Sequence, residues 1–258
     1  MLETAIKAVK EGAKVLMNYY GKATESYKGG FYDPANVVTE ADPAAEAAIR
    51  KIIKDRFPDH SIQGEELGEE NKNSEYLWSI DPLDGTGNFA RGMPLFGISV
   101  GLLKNDEPII GVLNFPALEL IVHAEKGKGA FANGQRIRVS DRPLNKATYF
   151  GRGFYYGKWW TEMSVARRVG NLKIIDTSAY EFAQIARGNG ELYICPTVLH
   201  DVAAGVVITR EAGGRVTGYD GTEWTPKSKG TVASNGIIHD EVIDLISKGT
   251  VASNWNNT

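Results

Sequence analysis

The apolar positions at the start of the chain fall at three- and four-residue steps: Leu2, Ala5, Ile6, Val9, Ala13, Leu16, Met17 and Tyr20, with Gly21 behind them. That spacing predicts an amphipathic helix that ends at the glycine. The stretch Tyr27 to Asn36 carries Gly29, Gly30 and Pro34 and predicts a mobile loop or wide hairpin. A second stripe, Ala45, Ala48, Ile49, Ile52 and Ile53, predicts another helix, with Asp42 as its N-cap and Pro43 in its first position. From Leu77 to Val139 the period shortens to that of strands, with runs at 77–80, 97–103, 109–115, 120–124 and 137–139 and a tight turn at Asn133-Gly134. Such a series reads as an antiparallel meander. Beyond Asp141-Arg142-Pro143 the pattern alternates: strand 149–153, helix near 158–169, strand 172–175, helix 179–187, strand 192–194 and helix 201–212. The chain is expected to divide into an N-terminal α+β half, residues 1–140, and a C-terminal α/β half, residues 141–258, with a cleft between them as the natural site.

A repeat interrupts this order near the end, where Lys229-Gly230-Thr231-Val232-Ala233-Ser234-Asn235 recurs as Lys248-Gly249-Thr250-Val251-Ala252-Ser253-Asn254. The first copy reads as a buried strand. The second falls in a polar tail with little to pack and is expected to be a small duplication.

Composition narrows the function classes. With 258 residues, the chain is long enough to bury about three quarters of its extended surface. Lys and Arg number 29 against 32 Asp and Glu, a net charge of -3, so no overall field favours nucleic acid or an anionic membrane. An anionic substrate has to be attracted locally. The single Cys195 has no internal disulfide partner, and the first turn mixes charge with apolar residues rather than presenting a signal-peptide core. A cytoplasmic location is expected. No apolar run approaches the roughly eighteen residues of a membrane span, so no membrane association is expected either.

The candidate chemistry is concentrated in Asp81-Pro82-Leu83-Asp84-Gly85-Thr86, which follows the apolar run Leu77-Trp78-Ser79-Ile80. Side chains just past the end of a buried strand face a crevice. Pro82 holds Asp81 extended and Gly85 permits a tight turn, which lets Asp81 and Asp84 converge on one hard cation such as magnesium. Two further acidic islands flank it in the chain: Gly64-Glu65-Glu66, and Asp201-Val202-Ala203-Ala204-Gly205 running into Glu211-Ala212-Gly213-Gly214. Each has a plainer reading alone, Asp42 as a helix cap, Glu66 as a solvated neighbour and Asp201 as a first-turn acid.

Taken together and in this order, the three motifs, with Val37-Val38-Thr39-Glu40-Ala41-Asp42 in support, resemble the inositol monophosphatase family of lithium-sensitive, magnesium-dependent phosphatases. The resemblance runs from the first helix to about Ile246. It implies an α+β fold, a five-layered α/β/α/β/α sandwich, usually dimeric, that hydrolyses a small sugar or polyol phosphate of the inositol 1-phosphate type. It also implies two to three magnesium ions: Glu65, Asp81 and the carbonyl of Leu83 on one, Asp81, Asp84 and Asp201 on another, and a weaker third leaning on Glu65. Thr86 and Asp42 would hold the attacking water, with Glu65 beside them, and the N–H groups of Gly85 and Thr86 would receive phosphate oxygens. Ser178, His200 and Arg152 are the expected substrate contacts.

Departures from the family pattern bear on substrate. His200 stands where Trp is common, and it reads as a core imidazole, a rim hydrogen-bond donor or a contact to the leaving group, with packing slightly favoured. Ile194-Cys195-Pro196 stands where inositol-specific members place a Glu that grips ring hydroxyls. Asp176-Thr177-Ser178-Ala179 alters the first member of a Gly-Ser-Ala-Ala turn, and Arg152, Tyr155, Tyr156 and Lys158 offer donors for a second phosphate. Fructose 1,6-bisphosphate, histidinol phosphate and 3'-phosphoadenosine phosphates therefore stand beside inositol phosphates as substrates. Two other readings remain. Haloacid-dehalogenase-like phosphatases use an aspartate nucleophile, but their two acids stand closer than Asp81 and Asp84 do. A catalytically silent, metal-stabilised binding protein is the other.

Overall fold

The protein, a computed structural model, is described over residues 1–28, 37–151 and 164–253. Along the chain lie α1 (Leu2–Tyr19), β1 (Ser26–Tyr27), β2 (Val37–Val38), α2 (Ala41–Arg56), β3 (Ser61–Gly64), β4 (Glu69–Glu70), β5 (Tyr76–Asp84), α3 (Thr86–Ala90), β6 (Gly97–Lys104) and β7 (Glu107–Phe115). There follow β8 (Leu120–Glu125), β9 (Ala130–Ala132), β10 (Gln135–Ile137), β11 (Thr148–Gly151), β12 (Asn171–Ile174), α4 (Ser178–Ala186), β13 (Leu192–Pro196), α5 (Leu199–Glu211), β14 (Arg215–Thr217), β15 (Gly230–Ser234) and α6 (His239–Ser253).

Strands β3 to β10 form an eight-stranded sheet in the order β10-β9-β8-β7-β6-β5-β3-β4, antiparallel except where β3 runs parallel to β5. Strands β11 to β15 form a five-stranded sheet, β12-β11-β13-β15-β14, in which β12, β11 and β13 are parallel. Alternation along each strand sorts the apolar side chains onto two faces. On β7, Ile110 and Val112 join the core under α1 and α2, whereas Leu113 and Phe115 join a second core with α4 and α5. On β13, Tyr193 and Cys195 face that second core, while Leu192 and Ile194 face a third with Val165 and α6. Helix, sheet, helix, sheet and helix thus alternate, the layered sandwich expected. Among the described residues, no helix is long and apolar enough to cross a membrane.

Small residues set how closely the middle layers approach. A methyl group at Gly101 would lie 2.8 Å from the Ala203 Cβ, and one at Gly111 would lie 2.3 Å from the Ala204 carbonyl oxygen. Both glycines seat α5, which begins two residues before Asp201. Farther off, the buried His239 at the start of α6 contacts Thr217 through Nε2 and Ser234 through Nδ1, at 2.8 Å each, and pins that helix to β14 and β15.

Several expectations are corrected. The α2 helix starts at Ala41, its cap position is Glu40, and Pro43 is its third residue rather than its first. Asp42 is not the N-cap: its carboxylate folds back to accept the Thr39 N–H (2.9 Å) and hydroxyl (2.6 Å), while the Thr39 oxygen takes the Ala41 N–H (3.2 Å). The strand expected to stop at Ile80 continues to Asp84, because the β5–β6 register shifts between Asp81 and Asp84 and gives Pro82 a place without a ladder bond. Gly230 to Ser234 is strand, as read, but the second copy continues α6 as far as Ser253 instead of forming an unstructured tail. One pentapeptide in two conformations reflects its surroundings rather than its propensity. The loop expected at 27–36 and the helix near 158–169 lie largely outside the described residues, with helix present at 164–166.

Candidate active site

Five elements bring their ends to one place. Asp81 and Asp84 sit at the end of β5, Glu65 follows β3, Thr86 opens α3 behind the left-handed Gly85 (φ +84°), Asp42 lies in the first turn of α2, and Asp201 in that of α5. The Thr86 hydroxyl is 3.1 Å from Asp42 Oδ1 and 2.8 Å from the Leu83 carbonyl oxygen, so the loop carbonyl and the Thr/Asp pair share one corner. Asp81 Oδ1 accepts the Leu83 N–H at 3.0 Å.

Burial and like charge act together on these acids. Burial, followed by the Glu65, Asp84 and Asp201 charges, pushes the Asp81 carboxyl well above its ordinary range. Burial and then Asp201 do the same to Asp84, with Asp176 and Glu65 adding to it and the Ala179 N–H opposing. Asp42 is pushed up to about 6, by burial first, against the hydrogen bonds from Thr39. Carboxylate oxygens gathered in this way, with Asp81 buried and Glu65 and Asp201 partly exposed, have the donor chemistry of a hard divalent cation.

The same acids also hold protein partners. Lys28 Nζ lies 2.8 Å from Glu65 and 2.7 Å from Glu66. Burial would lower that ammonium, but the two carboxylates outweigh it and hold it above its usual value. Asp84 accepts the N–H groups of Ser178 (3.2 Å) and Ala179 at the buried start of α4. So arranged, no three His, Cys, Asp or Glu side chains among the described residues stand as a formed ligand cluster.

A cavity of about 50 Å³ opens beside Asp84 and Asp201, walled by Asp176, Thr177, Ser178, Glu181 and Tyr193. The Ser178 hydroxyl lies 2.7 Å from the Tyr193 hydroxyl in that wall. Of the readings open for His200, the rim position fits: it is 21% exposed, with Nε2 3.3 Å from Asp201 and 3.9 Å from Glu65. Glu66 is no solvated neighbour either, given its bond with Lys28. Arg152, Tyr155, Tyr156 and Lys158 lie outside the described residues. Glu181 and Tyr193 escaped the sequence reading because a first-turn helix acid and a strand tyrosine look structural, and Lys28 because it precedes a glycine-rich loop. Asp176 has φ +65°, a backbone state natural to glycine, at the first position of the altered turn.

A sequence profile described as the inositol monophosphatase family matches residues 1–250. The Thermotoga maritima protein named fructose-1,6-bisphosphatase/inositol-1-monophosphatase is 37% identical over 252 residues, covering 96% of each chain. A histidinol-phosphatase of Chlorobaculum parvum is 31% identical over 256 residues, covering 96% of this chain and 97% of its own. Among solved structures, a Thermotoga maritima IMPase superposes with a TM-score of 0.87 at 35% identity, covering 97% of this chain and 98% of that one.

Proposed function

Since the chain belongs to the inositol monophosphatase family and is a phosphatase, we propose that it releases inorganic phosphate from a small sugar or polyol phosphate in a magnesium-dependent reaction. The observation that carries this reading is the convergence of four acids from separate elements: His200 Nε2 stands 3.3 Å from Asp201 and 3.9 Å from Glu65, and the charges of both acids bear on Asp81 and Asp84. In it, Glu65, Asp81 and the Leu83 carbonyl would hold one ion, and Asp81, Asp84 and Asp201 another, with a weaker third leaning on Glu65. Magnesium, when bound, neutralises the phosphate dianion and acidifies water.

The chain's own residues do the rest. Asp42 Oδ1 and the Thr86 hydroxyl hold the attacking water in line with the bond to be broken, and the water's proton passes to Asp42, whose raised carboxyl suits that task near neutral pH. The phosphorus–oxygen bond to the sugar breaks, the leaving oxygen takes a proton from solvent, and no phosphoenzyme forms. The N–H groups of Gly85 and Thr86 receive phosphate oxygens, with Ser178, His200 and Arg152 as outer contacts. Ile194 and Cys195 are both buried in β13, which removes the ring-gripping carboxylate from that position and favours a substrate range wider than inositol phosphates.

The same reading includes two halves, residues 1–140 and 141–258, since strand pairing keeps each sheet within one of them. It also includes a cytoplasmic homodimer. Support for association comes from Leu172 and Ile174, 41% and 49% exposed on the outermost strand β12. The test is a side-by-side assay of inositol 1-phosphate, fructose 1,6-bisphosphate, histidinol phosphate and 3'-phosphoadenosine 5'-phosphate, with magnesium and with EDTA. Magnesium-dependent release from at least one, suppressed by lithium, is expected; no turnover of any under saturating magnesium overturns the proposal.

A further inference from the structure

The loop bearing Glu65 leaves β3 at Gly64 and returns through the two-residue strand β4, so its own hydrogen bonds hold it only loosely. A buried ion pair on α2 does the holding. Glu46 is fully buried, and its Oε2 accepts the backbone N–H groups of Glu66 (2.7 Å) and Leu67 (3.2 Å), the two residues that follow Glu65. Its Oε1 accepts Arg50 Nε at 2.6 Å, and the same guanidinium donates to the Gly68 carbonyl. The loop closes around this pair, with the Gly64 N–H on the Gly68 carbonyl (3.0 Å) and the Glu65 N–H on the Ile80 carbonyl of β5 (3.1 Å).

Gly64 explains itself in the same frame. It is not among the glycines with positive φ, yet a methyl group there would lie 1.9 Å from Glu46 Oε1. The glycine of Gly64-Glu65-Glu66 therefore provides clearance for a carboxylate, not a turn. A buried ion pair contributes little net stability once its desolvation is counted, whereas one that spends its lone pairs on a loop's N–H groups sets that loop's position.

We propose that Glu46, held by Arg50, is a positioning residue: it fixes the backbone from which Glu65 reaches the cation and so tunes the site's affinity for magnesium. The inference rests on the proposed role of Glu65 as a magnesium ligand. Asp42 lies one turn earlier on the same helix, so α2 orients both the water-holding pair and a cation-holding acid.

The experiment compares wild type, Glu46→Gln and Gly64→Ala by magnesium titration of the EDTA-stripped protein in a calorimeter, together with kcat at saturating magnesium and Tm. Both variants are expected to weaken magnesium binding about ten- to a hundred-fold, with kcat largely recovered at saturation. Gly64→Ala changes no charge and keeps the test open if Glu46→Gln does not fold. A lowered Tm with unchanged magnesium affinity in the folded variants overturns the proposal, because that is what a purely structural pair does. Glu65→Gln separates the two readings: if it leaves magnesium binding unchanged, the ligand assignment falls and the positioning role with it, whereas if it weakens binding and the other two variants do not, only the positioning role falls.

Discussion

Gly111→Ala tests whether the seating of α5 on the eight-stranded sheet sets the geometry of the site. The added methyl group would lie 2.3 Å from the Ala204 carbonyl oxygen and 2.9 Å from that residue's Cα and carbonyl carbon, where ordinary contact begins at 3.4 Å. The helix has to retreat by about 1 Å, the difference between 3.4 and 2.3 Å, or β7 has to bow by as much. No rotamer relieves the clash, because all three atoms are backbone. Overpacking of this kind costs about 1–3 kcal/mol. In a chain of this size each kcal/mol lowers Tm by about 2–4 °C, so a fall of about 2–12 °C is expected. Because α5 also carries Asp201 and His200, the same retreat displaces the acid and the imidazole together, and a misplacement of about 1 Å is enough to lower kcat about a hundred-fold. Differential scanning fluorimetry and phosphate release on one preparation measure both. Wild-type kcat with a Tm within about 1 °C would refute the close helix–sheet approach as the determinant of Asp201's position.

Three further outcomes are expected. Asp84→Asn nearly abolishes turnover and the magnesium-induced rise in Tm, yet in EDTA at neutral pH it matches or exceeds wild type in stability, since a buried charge repelled by Asp201 is gone; full activity would contradict the ligand assignment. His239, lowered from 6.5 to about 4 by burial, makes stability depend on pH. Its folded value lies below its unfolded one, so the unfolded chain takes up the proton first: the stability it supplies is complete above about pH 6.5, is lost as pH falls towards 4, and amounts to at most about 3 kcal/mol. Asp42, raised to about 6, acts with the opposite sign, losing stability as pH rises, but it does so equally in wild type and His239→Asn. The difference in unfolding free energy between those two proteins should therefore shrink on acidification, and a constant difference in urea melts would rule the linkage out. His200→Trp changes the ratio of kcat/KM between inositol 1-phosphate and fructose 1,6-bisphosphate, because the ring stands at the rim beside Glu65 and Asp201; an unchanged ratio would remove His200 from substrate selection.

Periodicity carried most of the fold. The α1 stripe, the meander from β6 to β10 and the alternation from β11 to α5 are local patterns, and local patterns survive without knowledge of what packs on them. The exceptions all depend on distant partners. Asp42 reads as a cap until Thr39 and Thr86 are seen to share it, and Pro82 reads as a strand end until the β5–β6 bulge makes room for it. His200 stays undecided between core and rim because nothing local says that Glu65 lies opposite. In the site, the four acids were legible as separated motifs, whereas Glu46 and Lys28 were not, since they act through contacts 20 and 37 residues away, nor were Glu181 and Tyr193, which line a cavity built from separate elements.

Asp84 ends a strand of the first sheet, yet both its oxygens are taken by the first N–H groups of a helix made almost a hundred residues later. A polypeptide still emerging from the ribosome can carry Glu65, Asp81 and Asp84 while it lacks both that helix and Asp201. The acids carried by the first sheet are therefore completed as a set only after two later helices, α4 and α5, have packed against it.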